Sequence, residues 1–268
     1  MLKARFAAVA LWLPIHLAVI IWGRPYHVLL YLEVIALLAT VEMFDLLAAA
    51  GRRPHRLATL VAGGLYLGTI AYRPAVAFGA AAALTLATLV VPLARRTPAG
   101  VMGDAGASVL AFAYVPFLLG FVMLTRLLPG GVQLLLLFFF TVWADDIAAY
   151  TVGRLFGRRP LAPLVSPGKT AEGAVAGAVA ALIAASLLVA FAFPGLGLGW
   201  FGGLLVGGAV AVGVLAGDLA ESAFKRDAGV KDTGRLLWGH GGVLDRFDVI
   251  LFCAPLFYGA VSWARAVR

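Results

Sequence analysis

The stretch GGVQLLLLFFFTVWADDIAAYTVGRLFGRR, from Gly130 to Arg159, joins a long apolar run to a polar end. A helix needs about 20 apolar residues to cross the hydrocarbon core of a bilayer. Residues 132–152 meet that length, and acidic and then basic side chains lie at the end of the run. The stretch therefore predicts a membrane-spanning helix with polar groups at one side of the membrane.

Apolar runs of this kind fill most of the 268-residue chain. Hydrophobic residues make up 63% of it and the mean hydropathy is +0.99, whereas a soluble domain is roughly 45–50% apolar. This composition excludes a water-soluble fold and predicts an all-α, polytopic integral membrane helical bundle. The runs predict about nine transmembrane helices, at residues 6–22, 28–50, 57–72, 74–93, 105–125, 132–152, 173–193, 200–217 and 248–264.

We expect a single membrane domain, in which residues 1–130 supply spans one to five and residues 131–268 supply spans six to nine with their polar loops. Assigned to alternating sides, sixteen of the 21 Lys and Arg residues lie with the N-terminus and five lie on the other side. By the positive-inside rule the richer side is cytoplasmic. Its loops are predicted at 51–56, 94–104, 153–172 and 218–247.

The charged residues also limit the classes of partner. The formal net charge is +8, but only 13% of residues are charged and they are scattered between apolar runs. This pattern excludes a nucleic-acid partner and leaves anionic lipid head groups and nucleotide phosphates. The single cysteine, Cys253, excludes an internal disulfide and a cysteine zinc site.

Small residues at a spacing of four predict close contacts between helices, since lipid supplies no hydrophobic force for their association. The predicted pairs are Gly153 with Gly157, Gly173 with Gly177, and Gly213 with Gly217.

Acidic residues are concentrated in two segments. Residues 143–173 and 217–248 hold nine of the thirteen, at the ends of apolar helices beside predicted cytoplasmic loops. An unpaired charge at mid-helix costs about 2.5–3.5 kcal/mol on insertion scales. Acidic residues embedded in this way indicate a functional site.

The second segment places four polar side chains on one helical face. Span eight carries, at i, i+3, i+4 and i+7, the residues Asp218, Glu221, Ser222 and Lys225. They share a face if the helix continues that far. The structural alternative is an ordinary i, i+4 ion pair between Glu221 and Lys225.

Two further aspartates, Asp245 and Asp248, lie at the entry to span nine. Oxygen-only carboxylates without clustered histidines favour Mg²⁺ over zinc. Cations beside them suit a triphosphate with its metal, because they neutralise charge on phosphoryl oxygens. The cations of this segment are Lys225, Arg226, Lys231 and Arg235, and His240 follows them. The adjacent Gly241 and Gly242 permit close backbone approach or a positive φ.

The first segment carries a second polar group. Asp146 and Tyr150 lie one turn apart on span six, and SPGKT follows in the loop. This sequence lacks the upstream glycine of a P-loop. Instead we expect Ser166, followed by proline at the first helical position, to cap span seven, with Lys169 and Thr170 forming an anion site there. Simple helix capping is the alternative.

Together these residues resemble a known family. The run SAFKRDAGVKDTGRLLWGHGGVLDRFD, from Ser222 to Asp248, closely resembles the signature of phosphatidate cytidylyltransferases, also called CDP-diacylglycerol synthases. A second pattern also resembles that family, formed by Trp143, Asp146, Tyr150, Gly153, Gly157, Ser166, Pro167, Lys169, Thr170, Glu172 and Gly173. The resemblance covers the C-terminal half in sequence and the rest in architecture.

The resemblance implies transfer of CMP from CTP to phosphatidic acid, giving CDP-diacylglycerol and pyrophosphate, with Mg²⁺ as one or two cations. It implies a multi-pass protein of a bacterial-type plasma (inner) membrane with its active site on the cytoplasmic side. A homodimer is left open.

The expected roles follow from the same motifs. The catalytic set is Asp218, Lys225, Arg226, Asp245 and Asp248, and the metal ligands are Asp218, Asp245 and Asp248. The substrate-binding set is Asp146, Tyr150, Ser166, Lys169, Thr170, Glu172, Ser222, Lys231, Asp232, Arg235, His240, Gly241, Gly242 and Arg246.

Three residues depart from the family pattern. Trp238 stands where Pro or Gly is usual, Asp145 where Asn is common, and Gly168 where Lys or Asn is common. None of them removes an expected metal ligand, but they leave room for altered substrate preference or weakened activity.

Other readings stay open at this point. A CTP-dependent polyprenol kinase or a CDP-archaeol synthase would share the helices and the nucleotide. A transporter would also bury carboxylates, but the sequence has no inverted repeat. On span two, the acidic residues Glu33, Glu42 and Asp45 either line a cavity towards the lipid head group or pair with Arg52 or Arg95.

Overall fold

The computed structural model of the chain describes residues 2–91, 99–234 and 241–267, with side chains from residue 12 onward. Within these residues the chain forms nine helices and one β-hairpin. The helices are α1 (Leu2–Trp22), α2 (Pro25–Ala49), α3 (Arg56–Tyr72), α4 (Ala77–Val90), α5 (Val101–Leu127), α6 (Gly131–Phe156), α7 (Ala171–Ala192), α8 (Gly199–Asp227) and α9 (Leu244–Ala266). The hairpin strands are β1 (Pro160–Ala162) and β2 (Ser166–Thr170).

The all-α prediction is confirmed, and each predicted span overlaps one helix. By length and apolar composition, five helices can cross a membrane: α5, α6, α7, α8 and α9. Shorter apolar helices cover Trp12–Trp22 and Pro74–Val90. The chain is therefore a multi-pass membrane protein with at least these five candidate spans among its described residues, while the count of nine stays a prediction.

The chain divides into two compact units. The first unit comprises Met1–Leu124 and Phe224–Phe247, and the second comprises Thr125–Ala223 and Asp248–Arg268. The end of α8 and the start of α9 thus belong to the first unit.

In the first unit, α3 and α5 pack through aromatic rings and a glycine. Buried Tyr66 of α3 stacks on Phe117 and meets Phe112 edge-on, each at 5.7 Å between ring centroids. One turn earlier, a Cβ on Gly63 would lie 2.8 Å from the ring of Pro116. Pro116 lies in a π-helical turn of α5, where a proline is accommodated without a regular i to i−4 bond. Gly63 therefore lets α3 approach this turn closely.

In the second unit, α6 and α7 pack at a stripe of glycines. A Cβ on Gly173 would lie 2.7 Å from the carbonyl oxygen of Ala149, and one on Gly177 would lie 3.0 Å from the Ala149 Cβ. On the α6 side, a Cβ on Gly157 would come within 2.6 Å of Thr170 Cγ2. Close approach at these predicted glycine pairs is confirmed.

The third predicted pair brings α8 onto α9. A Cβ on Gly213 would lie 2.7 Å from the Cα of Cys253, and one on Gly217 would lie 2.9 Å from the carbonyl oxygen of Asp248. Backbone approach at this distance leaves no room for a side chain, which confirms the third pair.

A further close contact, which was not predicted, joins α7 and α8. Gly207 of α8 faces the α7 backbone, where a Cβ would lie 2.6 Å from Leu182 Cα.

We expect Gly207→Ala to lower the free energy of unfolding by about 1–3 kcal/mol, because one of the two helices must shift. Equilibrium unfolding by SDS in mixed micelles measures the change.

The matched control is the next residue. A Cβ on Gly208 would meet only the Leu182 side chain, at 3.9 Å. Gly208→Ala should leave stability unchanged or raise it by up to about 1 kcal/mol, since Ala is the better helix former. Equal destabilisation by both substitutions would contradict the close contact at Gly207.

Candidate active site

The polar centre of the second unit is an ion pair between Lys169 of β2 and Asp218 of α8. The side chains of Lys169 and Asp218 are 27% and 31% exposed, respectively. Helix α8 continues unbroken to Asp227, which confirms that Asp218, Glu221 and Ser222 share the predicted helical face. The pair is therefore held by a strand and a long helix, yet part of each side chain remains open to a ligand.

Other carboxylates lie near enough to Lys169 for their charges to act on it. The negative charges of Asp248, Asp146, Asp145 and Glu221 act on its ammonium and favour the charged form. Burial has the larger, opposite effect, so the pKa of Lys169 lies below its ordinary value. Asp145, Glu221 and Asp248 are themselves buried. One lysine thus serves as the cation among several acidic side chains from α6, α8 and α9.

The β-hairpin places Lys169. Strands β1 and β2 are antiparallel, with Pro160 opposite Thr170 and Ala162 opposite Ser166. Helix α7 follows directly, and its Glu172 accepts hydrogen bonds from the backbone N–H groups of Arg158 and Arg159, at 3.1 and 3.2 Å. This carboxylate ties the start of α7 to the loop that follows α6.

The predicted cap of span seven was wrong. Ser166 lies in a strand, and the N-cap of α7 is Thr170, whose hydroxyl accepts from the Gly173 N–H at 3.2 Å. Thr170 has the extended backbone that an N-cap needs. The backbone from Ser166 to Thr170 pairs with β1 instead of starting a helix, so proline at position 167 is not the first helical residue.

In the first unit, Asp245 accepts hydrogen bonds from a lysine of α8 and from the backbone that precedes α9. Its carboxylate accepts from Lys225 Nζ at 3.0 Å, from the Thr233 N–H at 3.1 Å and from the Gly242 N–H at 2.7 Å. Gly241 has φ +80°, and a Cβ there would lie 2.5 Å from Asp245 Oδ2. The expectation of close backbone approach or a positive φ is therefore confirmed at Gly241, which shows both.

Glu42 of α2 has a role that the sequence did not indicate. Its buried carboxylate accepts from the backbone N–H groups of Val243, at 2.9 Å, and Leu244, at 2.7 Å. The sequence left open a cavity towards the lipid head group or an ion pair with Arg52 or Arg95, and it gave no sign of these backbone partners. Its neighbour Asp45 pairs with Arg56 at 2.8 Å, while Arg95 lies outside the described residues.

The remaining predicted site residues lie on exposed surface or outside the described part. The exposed ones are Asp146, Tyr150, Arg226, Lys231, Asp232 and Arg246. The Tyr150 hydroxyl accepts from Arg154 at 2.9 Å. Arg235, Trp238 and His240 fall in residues 235–240, which the structure does not describe.

The donor chemistry fits a hard cation such as Mg²⁺. Asp218 and Asp248 offer carboxylate oxygens in the second unit, beside Lys169. Among the described residues, no three His, Cys, Asp or Glu side chains are grouped to hold a metal ion by themselves. Mg²⁺ is commonly bound by one or two carboxylates, with water and substrate phosphates completing its shell. Such a partial site is what these residues offer.

Comparison with known proteins points to one class. The model of the cytidylyltransferase family matches residues 3–263. The chain is similar to the phosphatidate cytidylyltransferase of Staphylococcus saprophyticus, 41% identical over 153 residues, which is 57% of each chain. It is also similar to that of Haemophilus influenzae, 45% identical over 139 residues, or 47% of this chain and 45% of the relative. The matched part spans about half the length of these curated relatives.

Removing the central cation should destabilise the second unit. We expect Lys169→Met to lower the free energy of unfolding by about 1–3 kcal/mol at pH 7, because the acidic side chains lose their cation. The loss should shrink at pH 5, where carboxylates take up protons more readily.

Unfolding in mixed micelles at the two pH values measures this effect. Lys231→Met is the control, since Lys231 is exposed and its loss should change stability little at either pH. A penalty for Lys169→Met that stayed the same at both pH values would contradict the electrostatic explanation.

Proposed function

The chain belongs to the cytidylyltransferase family, and we propose that it transfers the CMP group of CTP to phosphatidic acid, forming CDP-diacylglycerol and pyrophosphate. Relatives named phosphatidate cytidylyltransferase, at 41% and 45% identity, support this substrate pair. The observation that carries the proposal is the ion pair of Lys169 with Asp218 in an apolar protein, with the charges of further carboxylates acting on the same lysine. A cation among metal-binding oxygens suits a nucleoside triphosphate.

The reaction joins two polyanions. An oxygen of the phosphatidate monoester attacks the α-phosphorus of CTP and forms a new P–O bond. The bond from that phosphorus to the oxygen bridging the β-phosphate breaks, and its electron pair leaves with pyrophosphate. The monoester is already an anionic nucleophile near neutral pH, so positioning and charge neutralisation supply most of the catalysis.

Lysines of both units suit these tasks. In the second unit, Lys169 exchanges its bond with Asp218 for a phosphate oxygen when the nucleotide binds. In the first unit, Lys225 pairs with Asp245, and its ammonium suits a contact with a phosphate oxygen. Arg226 and Lys231 lie on exposed surface, where they attract anionic substrates.

We assign Mg²⁺ to Asp218 and Asp248 of the second unit, while the metal role of Asp245 stays a prediction from the sequence. When bound, Mg²⁺ supplies charge neutralisation at the phosphoryl oxygens. Release of Asp218 from Lys169 would then make a carboxylate and an ammonium available at the same moment, one for the metal and one for the substrate.

We also propose about nine spans in a bacterial-type plasma membrane, with the active site on the cytoplasmic side. The excess of Lys and Arg on one side of the alternating topology supports this orientation. This proposed topology assigns the loops before α7 and before α9 to that side. A homodimer stays a prediction.

Position-specific labelling of CTP tests the reaction. Purified protein with Mg²⁺ and phosphatidic acid should move label from the α-phosphorus of CTP into lipid, and label from the γ-phosphorus into pyrophosphate. EDTA should stop the transfer and excess Mg²⁺ restore it. Label from the γ-phosphorus in a polyprenol would instead identify a kinase, and transfer to an archaeal-type phosphate lipid alone would identify another lipid substrate.

Asp218→Asn should lower kcat by about 10²–10³-fold in protein that still folds, because both a metal ligand and the partner of Lys169 change. Steady-state rates at saturating Mg²⁺ measure the effect. Asp227→Asn is the control, since Asp227 is exposed at the end of the same helix and should retain normal turnover. Near-normal turnover of Asp218→Asn would remove this residue from the site.

A further inference from the structure

Glu42 and the start of α9 are about 200 residues apart in sequence and in direct contact in the first unit. The Glu42 side chain lies near the cytoplasmic end of α2 by the predicted topology, and the residue is only 7% exposed. Its two carboxylate oxygens accept from two successive backbone N–H groups, those of Val243 and Leu244. Each oxygen therefore has its own donor, and the carboxylate binds the backbone at Val243 and Leu244.

This contact lies where α9 begins, at Leu244. The first N–H groups of a helix have no partner within the helix, and the helix dipole favours a negative charge there. A buried carboxylate would be costly without such donors. Glu42 and the helix start therefore satisfy each other, and the position of one fixes the position of the other.

Two glycines keep the space around Glu42 open. A Cβ on Gly234 would lie 2.5 Å from Glu42 Oε1, and a Cβ on Gly242 would contact Glu42 Oε2. The carboxylate is thus enclosed by backbone on both sides of the loop. Neither glycine can be replaced by a larger residue without moving Glu42 or the loop.

The same segment holds Asp245. The N–H of Gly242 donates to Asp245, and the next two N–H groups along the chain donate to Glu42. Asp245 in turn holds Lys225 at 3.0 Å and the Thr233 backbone. Three consecutive backbone N–H groups therefore donate to two carboxylates, one to Asp245 and two to Glu42. Because they belong to one short backbone segment, a displacement of Glu42 also displaces Asp245 and the Lys225 side chain that it binds.

From this geometry we propose that Glu42 is a positioning residue: it fixes the glycine turn and the start of α9 so that Asp245 and Lys225 are held in place for the phosphates. This inference rests on the proposed function. In this role Glu42 does not contact the substrate. It acts on the reaction through the position of Asp245. It extends the functional unit from the C-terminal motif to a helix near the N-terminus.

Glu42→Gln is the decisive substitution. Its size is unchanged, but one of its two terminal atoms becomes an NH₂ group facing a backbone N–H, so one of the two hydrogen bonds is lost. We expect kcat to fall by about 10–100-fold, as for residues that support directly acting groups. The KM for CTP should change by less than about threefold, because the loss falls on a geometry needed in the transition state.

Asp45→Asn is the matched control. Asp45 lies one turn along the same helix, carries the same charge and forms an exposed ion pair with Arg56. Its substitution should leave kcat unchanged. Hydrogen exchange at the amides of Val243 and Leu244 gives a readout that does not depend on activity, and it should rise in Glu42→Gln and stay low in Asp45→Asn.

The outcomes separate this inference from the reaction itself. Faster exchange at Val243 or Leu244 with normal kcat in Glu42→Gln would overturn the positioning role while the transferase activity stood. Wild-type protein that transferred no CMP to any lipid would overturn the proposed function and this inference with it. Should Glu42→Gln fail to fold, Glu42→Asp, which keeps the charge on a shorter side chain, is judged by the same measurements.

Discussion

A carboxylate buried in an apolar chain needs a cation or backbone N–H donors, because its desolvation is otherwise too costly. The structure meets this need in two ways. In the second unit, Lys169 pairs with the partly exposed Asp218, and its charge also acts on the buried Asp145, Glu221 and Asp248. In the first unit, Asp245 and Glu42 take their donors mainly from the backbone at the start of α9. These donors lie in the polar segments before α7 and before α9: Lys169 in the first, and the N–H groups of Gly242, Val243 and Leu244 in the second.

The pairing that stabilises these carboxylates in the fold also concerns the groups assigned to the proposed reaction. The groups that pair with each other in the structure are those that the proposed metal and triphosphate would use. In the proposed reaction, the ammonium that Asp218 releases would bind a phosphate oxygen, and the freed carboxylate would bind the cation. The partial exposure of this pair suits such an exchange, whereas the more buried pair of Lys225 with Asp245 suits a fixed element of the site.

Much of the fold could be predicted from the sequence. Apolar runs gave the positions of the helices, and the spacing of glycines gave three close helix contacts, because both depend on local periodicity. The cap of α7 was predicted wrongly. SPGKT has the composition of a helix start, but Ser166 pairs with Ala162 across a hairpin, and this pairing moves the helix start to Thr170. A single sequence carries no signal for that choice.

The sequence by itself determined the membrane-type helical architecture, the clustering of acidic residues and the motif that resembles the cytidylyltransferases. Composition and spacing along the chain are enough for these conclusions. Only the tertiary structure decided that Glu42 grips the start of α9 and that residues 224–247 belong with the N-terminal helices. Contacts between residues about 200 positions apart depend on how helices pack, and helical periodicity specifies a buried face without specifying its partner.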